Sequence, residues 1–282
     1  MAWRLAVANQ KGGVGKTTTV HSLGYALAER GRNVLLVDLD PQACLTYSVG
    51  LDPEALDRSL HDVLVRRTDP RQARRPVPGV ESLSILPANV DLAAAEIQLL
   101  TRPGREYILG HALSNLDADH DVVLIDCPPS LGVLTINALT AAHEVLVPFQ
   151  CEALSTRGVH QLMEMIEDVR VFTNAALKVR GGIATMFDRH TCHNREMLDD
   201  VAEQQGIAVL HPPVRKSVRF AEAPARSRCI LQHAPQSTGA QAYRSLALQL
   251  ELAMPPPSVE RAVVEPRRAE PAWGERVFAP SL

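Results

Sequence analysis

The 282-residue chain reads as α/β: a doubly wound, mostly parallel sheet flanked by helices. Three observations predict this. Short runs rich in aliphatic residues recur and are apolar almost throughout, as strands buried on both faces require. Candidate helices separate them, and strands that alternate with helices form a parallel sheet covered on both sides. The first apolar run opens into a glycine-rich turn that leads straight into a helix, a junction suited to holding phosphate.

In chain order the strands are RLAVAN (4–9), NVLLVD (33–38), LSILPA (83–88), DVVLID (121–126), EVLVPF (144–149) and GGIATMF (181–187). The helices between and after them are read at 16–30, 91–100, 105–116, 155–172, 194–205 and 239–253, giving one domain over 1–254 with roughly eight strands. Beyond Met254 the composition changes: 255–282 holds six prolines, mixed charge and no sustained period. That stretch is expected to be a disordered tail, with Trp273 and Phe278 as its candidate docking residues. No internal repeat is visible.

Composition narrows the function. A hydrophobic content of 46% is ample for a buried core, and a net charge of −3 excludes whole-molecule attraction to nucleic acid or anionic membrane. Any such binding must come from a local basic cluster. The cysteines, Cys44, Cys127, Cys151, Cys192 and Cys229, form no CxxC pair and no zinc-like spacing, which fits reduced thiols in a cytoplasm. No apolar run reaches the roughly 18 residues of a membrane span, and no basic stretch precedes an apolar one at the N-terminus.

The stretch VANQKGGVGKTTTV (7–20) carries the chemistry. Gly12, Gly13 and Gly15 let the backbone around Val14 curl so that successive N–H groups point inward, and the following helix adds its positive end. Lys16 is placed to reach the β- and γ-phosphates of a nucleotide, and the Thr17 hydroxyl to bind Mg²⁺, with Thr18 beside it. Gln10 stands where the usual phosphate-loop pattern has its first glycine, and a second lysine, Lys11, precedes the turn. Two apolar strands end in carboxylates: VLLVDLDPQ in Asp38, with Asp40 two residues on, and VVLIDCPPS in Asp126. Such carboxylates fall at the carboxyl edge where α/β sheets bind ligands.

KGGVGKT resembles the deviant phosphate loop of the ParA/MinD ATPases. The further stretches VLLVDLDPQ, LIDCPPSLGVLTINAL, VPFQCE, TMFD and VRFAEAP, spread over about 3–252, are similar to the ParA/Soj branch. The resemblance implies that Lys11 crosses a dimer interface to the partner's phosphates, like an arginine finger in trans, a class of contact worth roughly 10³–10⁵ in rate. It implies that Asp40 orients or activates the attacking water, that Asp38 lies near the Mg²⁺ shell, and that Asp126 holds Mg²⁺ through water. Adenine contacts are implied after TMFD and near Pro213. It further implies a slow ATPase that forms a homodimer with ATP, binds DNA without sequence preference, associates with the nucleoid in the cytoplasm and answers to a ParB-like activator.

The local basic cluster for DNA is RKSVR, with Arg215, Lys216 and Arg219. Doubled in a dimer it offers about six phosphate contacts, enough to lose roughly 10³-fold in affinity between 50 and 200 mM salt. Departures from the family pattern are DPQACLT, QCEALSTRG and the residues ahead of VRF; they bear on the switch, the partner surface and the assignment of Arg215 and Lys216. A MinD-like membrane ATPase would need a basic amphipathic C-terminal helix, which the proline-rich tail does not supply. Iron–sulfur relatives would need cluster-bridging cysteines. A CobQ-like synthetase is expected to carry a further domain, and larger plasmid relatives an operator-binding domain ahead of the phosphate loop. The remaining alternative is an orphan relative that positions another cargo or acts as a regulatory nucleotide switch.

Overall fold

The computed structural model describes residues 1–152, 155–188, 203 and 206–254. Its elements run β1 (Trp3–Val7), α1 (Lys16–Glu29), β2 (Val34–Asp38), α2 (Cys44–Ser48), α3 (Leu60–Arg66), α4 (Pro70–Ala73), β3 (Arg75–Val77) and β4 (Val80–Leu86). Then follow α5 (Leu92–Leu100), a 3₁₀ turn (Arg105–Tyr107), α6 (Ile108–Ser114), β5 (Val122–Asp126), α7 (Val133–Ala141), β6 (Glu144–Gln150), α8 (Ser155–Phe172) and β7 (Lys178–Thr185). The chain continues with β8 (Val209–Leu210), α9 (Arg219–Glu222), α10 (Ile230–His233) and α11 (Thr238–Glu251). The expected helix at 194–205, except Glu203, and the tail at 255–282 lie outside the described residues.

The doubly wound architecture is borne out: one eight-stranded sheet in the order β3-β4-β2-β5-β1-β6-β7-β8, parallel except for the β3–β4 pair. Strand alternation splits the core in two. Trp3, Leu5 and Val7 of β1 face a layer built with α1 and α11, while Ala2, Ala6 and Ala8 face the layer of α3, α5, α6, α7 and α8. Because β1, β2 and β5 are buried along their whole length, hydrophobicity reports them directly. The expected strands agree with β1, β2 and β4–β7, displaced by a few residues at the ends. Sequence reading missed β3 and β8, which are three and two residues long, the short helices α2, α3, α4, α9 and α10, and α7, whose buried VLTINALTA is apolar on nearly every side and shows no helical face.

One close approach rests on glycine. A Cβ at Gly239, in the first turn of α11, would stand 2.6 Å from the Phe220 ring, so only glycine lets α9 lie against that helix. Phe220 in turn meets Tyr243 edge-on at 6.1 Å, and the Tyr243 hydroxyl shares a 3.0 Å hydrogen bond with Thr19 of α1. The helix after the phosphate turn is thereby tied to the segment that carries Arg219.

Candidate functional site

The turn between β1 and α1 sits where the sheet has its central strand, between β5 and β6. Gly13 and Gly15 have φ of 74° and 84°, the left-handed region that only glycine enters without cost. Gly15 caps α1 without a side-chain hydrogen bond, so the first N–H groups of the helix are left for a ligand. The turn is pinned from the neighbouring strands. The Gln150 amide donates to Gly13 O at 3.0 Å and the Thr185 hydroxyl to Val14 O at 2.8 Å. Asn9 donates to Pro148 O at 2.7 Å while accepting from Lys11 N at 2.9 Å.

The two lysines point to different places. Lys16 is buried and its Nζ donates to Lys11 O at 3.2 Å, spanning the turn. Burial lowers its pKa, opposed by the charge of Asp126 and, less, of Cys127 and Asp40. The Lys11 side chain leaves the turn and pairs with Glu152 Oε2 at 2.6 Å. A cavity of 1290 Å³ opens above the turn, lined by Gly12, Gly13, Gly15, Lys16, Thr17 and Thr18 together with Asp40. That exceeds the roughly 1,000 Å³ upper range of ordinary ligand pockets, so a nucleotide would leave space over. The excess extends toward Asp52–Glu54 and Asn89–Asp91 on one side and Phe220 and Arg228 on the other. Pro213 is half-buried beside the cis His211–Pro212 bond and is not among the residues lining the cavity.

The carboxylates divide by environment. Asp38 and Asp126 are register partners at the ends of β2 and β5, both buried. Asp38 Oδ2 accepts from Thr46 N at 2.8 Å and Thr46 Oγ1 at 2.7 Å, and its Oδ1 from Asp40 N at 3.3 Å. It braces the β2–α2 turn, and burial pushes its pKa up to about 6. Neither oxygen of Asp126 completes a hydrogen bond; the Thr17 hydroxyl and Lys16 charge only partly offset burial and the repulsion of Asp38, which hold its pKa well above the carboxylate range. A buried carboxylate with no completed hydrogen bond, beside the Thr17 hydroxyl, has the chemistry of a cation ligand. Thr17 and Asp126 therefore fit Mg²⁺, which takes one or two protein ligands and completes its shell with phosphate and water. Asp38 is less available, its lone pairs being engaged elsewhere. Asp40 is half-exposed at the cavity wall, its Oδ1 accepting from Gln42 N at 2.9 Å.

Ala43, within the departure DPQACLT, occupies a left-handed position, φ 52°. Arg215, Lys216 and Arg219 are all exposed. The Arg219 guanidinium pairs with Glu222 at 3.4 Å, and Arg226 and Arg228 add two exposed cations to the same segment. Sequence reasoning missed these two, and also Thr46, Gln150 and Glu152. Gln150 and Glu152 act through contacts with the phosphate turn from more than 130 residues away, which spacing does not reveal. Cys127 and Cys229 are buried, and burial pushes both thiols up. Among the described residues no group of three metal-ligating side chains clusters, and no helix is long and apolar enough to cross a membrane.

Comparison with known proteins places this geometry. A family profile described as an AAA domain matches residues 3–179. The sporulation initiation inhibitor protein Soj of Bacillus subtilis is 39% identical over 246 residues, covering 87% of this chain and 97% of that protein. The chromosome partitioning protein ParA of Caulobacter vibrioides is 41% identical over 250 residues, covering 87% and 92%. A solved structure named cobyrinic acid a,c-diamide synthase from Mycobacterium smegmatis, with bound ADP and magnesium, is 51% identical with a TM-score of 0.80, covering 89% of this chain and 94% of that one. The same neighbour has been solved with an ATP analogue and magnesium. At 94% coverage, that neighbour leaves no length for the further domain expected of a CobQ-like synthetase. The profile spans well over half the chain and the relatives nearly all of the described body, so the chain belongs to the AAA-domain ATPases and, within them, to the ParA/Soj partitioning family.

Proposed function

We propose that this protein is a Mg²⁺-dependent ATPase that dimerises with ATP, binds DNA non-specifically and positions ParB-bound chromosome or plasmid DNA, with hydrolysis stimulated by the ParB-like partner. One observation carries the reading: within a single turn, Lys16 spans the phosphate cradle while the Lys11 side chain is directed out of it, onto Glu152. A lysine so placed serves its own nucleotide poorly and a facing protomer's well. In this scheme the N–H groups at Gly13–Thr18 and the Lys16 ammonium hold the phosphates. Thr17 and Asp126 would hold magnesium, which would supply positive charge against the phosphates. Asp40 orients water at the cavity wall, and the partner's lysine completes the charge balance only in the dimer. Turnover is then slow until a second protomer and an activator assemble the site.

DNA binding at 215–219 follows from doubling its exposed cations, which ties that segment's contribution to nucleotide state. The name of the Mycobacterium smegmatis neighbour favours a second reading, ATP-dependent amidation of a corrin carboxylate. Light scattering with ADP and with a slowly hydrolysed ATP analogue, wild type beside Lys11→Ala, tests the first. Wild type should double in mass with the analogue alone, and the variant should stay monomeric. Dimerisation of both, or of neither, refutes the role of Lys11. ATP turnover accelerated by a corrin acid with glutamine, and indifferent to DNA and a ParB-like protein, would support the second reading.

A further inference from the structure

A second basic region lies far from Arg219 along the sheet. The ten residues 66–75 contain five arginines, Arg66, Arg67, Arg71, Arg74 and Arg75, against the single acid Asp69, in a chain whose net charge is −3. They run from the end of α3 through α4 into β3, an edge strand, whereas Arg215 pairs with Phe187 just past β7, at the opposite side of the sheet. Seven strand spacings of about 4.8 Å put the two regions roughly 34 Å apart.

The fold holds these arginines at the surface. Arg102 reaches from beyond α5 to donate to Leu64 O at 3.3 Å and Val65 O at 2.6 Å, adding a cation at the carboxyl end of α3. Arg67 ends α3 in a left-handed conformation, φ 56°, is exposed, and makes no ion pair among the described residues. The Arg66 side chain is 70% exposed while bonded to Asp62, and that of Arg71 51% exposed, with one donor on Asn115 O and a 3.9 Å approach to Asp119. Arg74 pairs with Asp119 at 3.1 Å, and Arg75 with Asp57. A guanidinium has five donors, so Arg66, Arg67 and Arg71 keep most of theirs unused, whereas half-buried Arg75 also donates to Gln72 O and Arg74 O.

The chemistry of the patch selects its partner. A protein interface is anchored by buried aromatic or aliphatic side chains. Within 66–75 itself no large hydrophobic side chain is exposed; the exposed ones on the neighbouring α5 are Ile97 and Leu100. Beta-augmentation is disfavoured too, because Pro76 sits in the middle of the short edge strand. The segment itself is a set of forked, always-charged donors without an apolar side chain among them, which suits phosphodiester oxygens.

We infer that the α3–α4–β3 corner is a second surface for the phosphate backbone of nucleic acid, carried by Arg66, Arg67, Arg71, Arg74 and Arg75 within one protomer. It needs neither ATP nor a dimer, so it supplies nucleotide-independent retention. With the 215–219 segment, it gives one protomer two separated contacts on a duplex or on two duplexes. The inference stands apart from the proposed ATP switch.

The test is fluorescence anisotropy of the full-length protein without nucleotide on a mixed-sequence DNA duplex, titrated from 50 to 200 mM salt. Arg66→Gln/Arg67→Gln/Arg71→Gln should lower the log–log salt slope by about 2.7, so that the loss of affinity over that range shrinks by about 40-fold. Arg66→Lys/Arg67→Lys/Arg71→Lys should keep the slope, and both variants should keep wild-type ATP turnover. An unchanged slope in the glutamine variant overturns the inference. An equal loss in the lysine variant assigns the effect to structure rather than charge, and also overturns it. Polyglutamate binding as tightly as DNA at equal charge would make the surface an acidic-protein site instead. Failure of the ATP switch would appear separately, as no nucleotide-driven gain in mass or DNA affinity.

Discussion

Asp126→Asn is expected to make the nucleotide-free protein more stable and the Mg²⁺-ATP-bound protein less so. The two carboxylates that face each other in register, Asp38 and Asp126, are both buried, and only Asp38 is hydrogen-bonded. Adjacent strand positions are about 4.8 Å apart. Two full charges at that separation repel by about 3 kcal/mol at an effective dielectric of about 20. Asparagine removes that repulsion and the cost of an unpartnered buried charge, but Lys16 loses its strongest attracting charge. The balance is about 1–2 kcal/mol of added stability at pH 8, or about 2–8 °C in melting temperature.

The pH dependence follows from the sign of the shift. A carboxyl raised in the folded state is protonated there at pH values where the unfolded chain has released its proton, so folding is favoured at low pH and loses stability as pH rises. The Asp126→Asn advantage should therefore shrink toward pH 4, where both forms are neutral, and grow to its full size above the raised pKa. Saturating ATP with Mg²⁺ stabilises wild type by about 2.7 kcal/mol at one hundred times Kd. The variant should lose the magnesium-dependent part of that gain, so the two melting curves cross. Urea unfolding at pH 5 and pH 8, with and without Mg²⁺-ATP, reads all four corners. A variant less stable than wild type without nucleotide at pH 8 refutes the reasoning, because it would mean that the carboxylate contributes to the fold rather than strains it.

Two further outcomes test the frame around the site. Gly239→Ala should not give the gain of nearly 1 kcal/mol that helix propensity alone suggests, but a loss of about 1–3 kcal/mol, since its methyl would meet Phe220 at 2.6 Å; a rise in melting temperature would contradict it. His21 is buried at the cavity floor with its Nδ1 3.2 Å from Ser48 Oγ, and burial lowers its pKa from 6.5 to about 4. Its contribution is intact above pH 6.5 and is lost as pH falls through 4, at most about 3 kcal/mol. His21→Asn should flatten the acid limb of stability by that amount, and an acid limb unchanged in the variant would show that His21 does not titrate as placed.

Much was legible in the chain because the physics concerned is local. Strands β1, β2 and β5 are buried on both faces and so are written as unbroken apolar runs. The phosphate turn is likewise local, since left-handed backbone at Gly13 and Gly15 and the helix opening at Lys16 involve consecutive residues. Those residues, with the carboxylates closing β2 and β5, determined the doubly wound fold and the family. What only the tertiary structure decided concerns which side chains meet which partners. It turned Lys11 onto Glu152, engaged Asp38 with Thr46 while leaving Asp126 without a donor, and gathered Arg66–Arg75 with Arg102 at the far edge of the sheet. Spacing cannot disclose such pairings, because whether a carboxylate braces a turn or awaits a cation depends on what the fold sets within 3 Å of its oxygens.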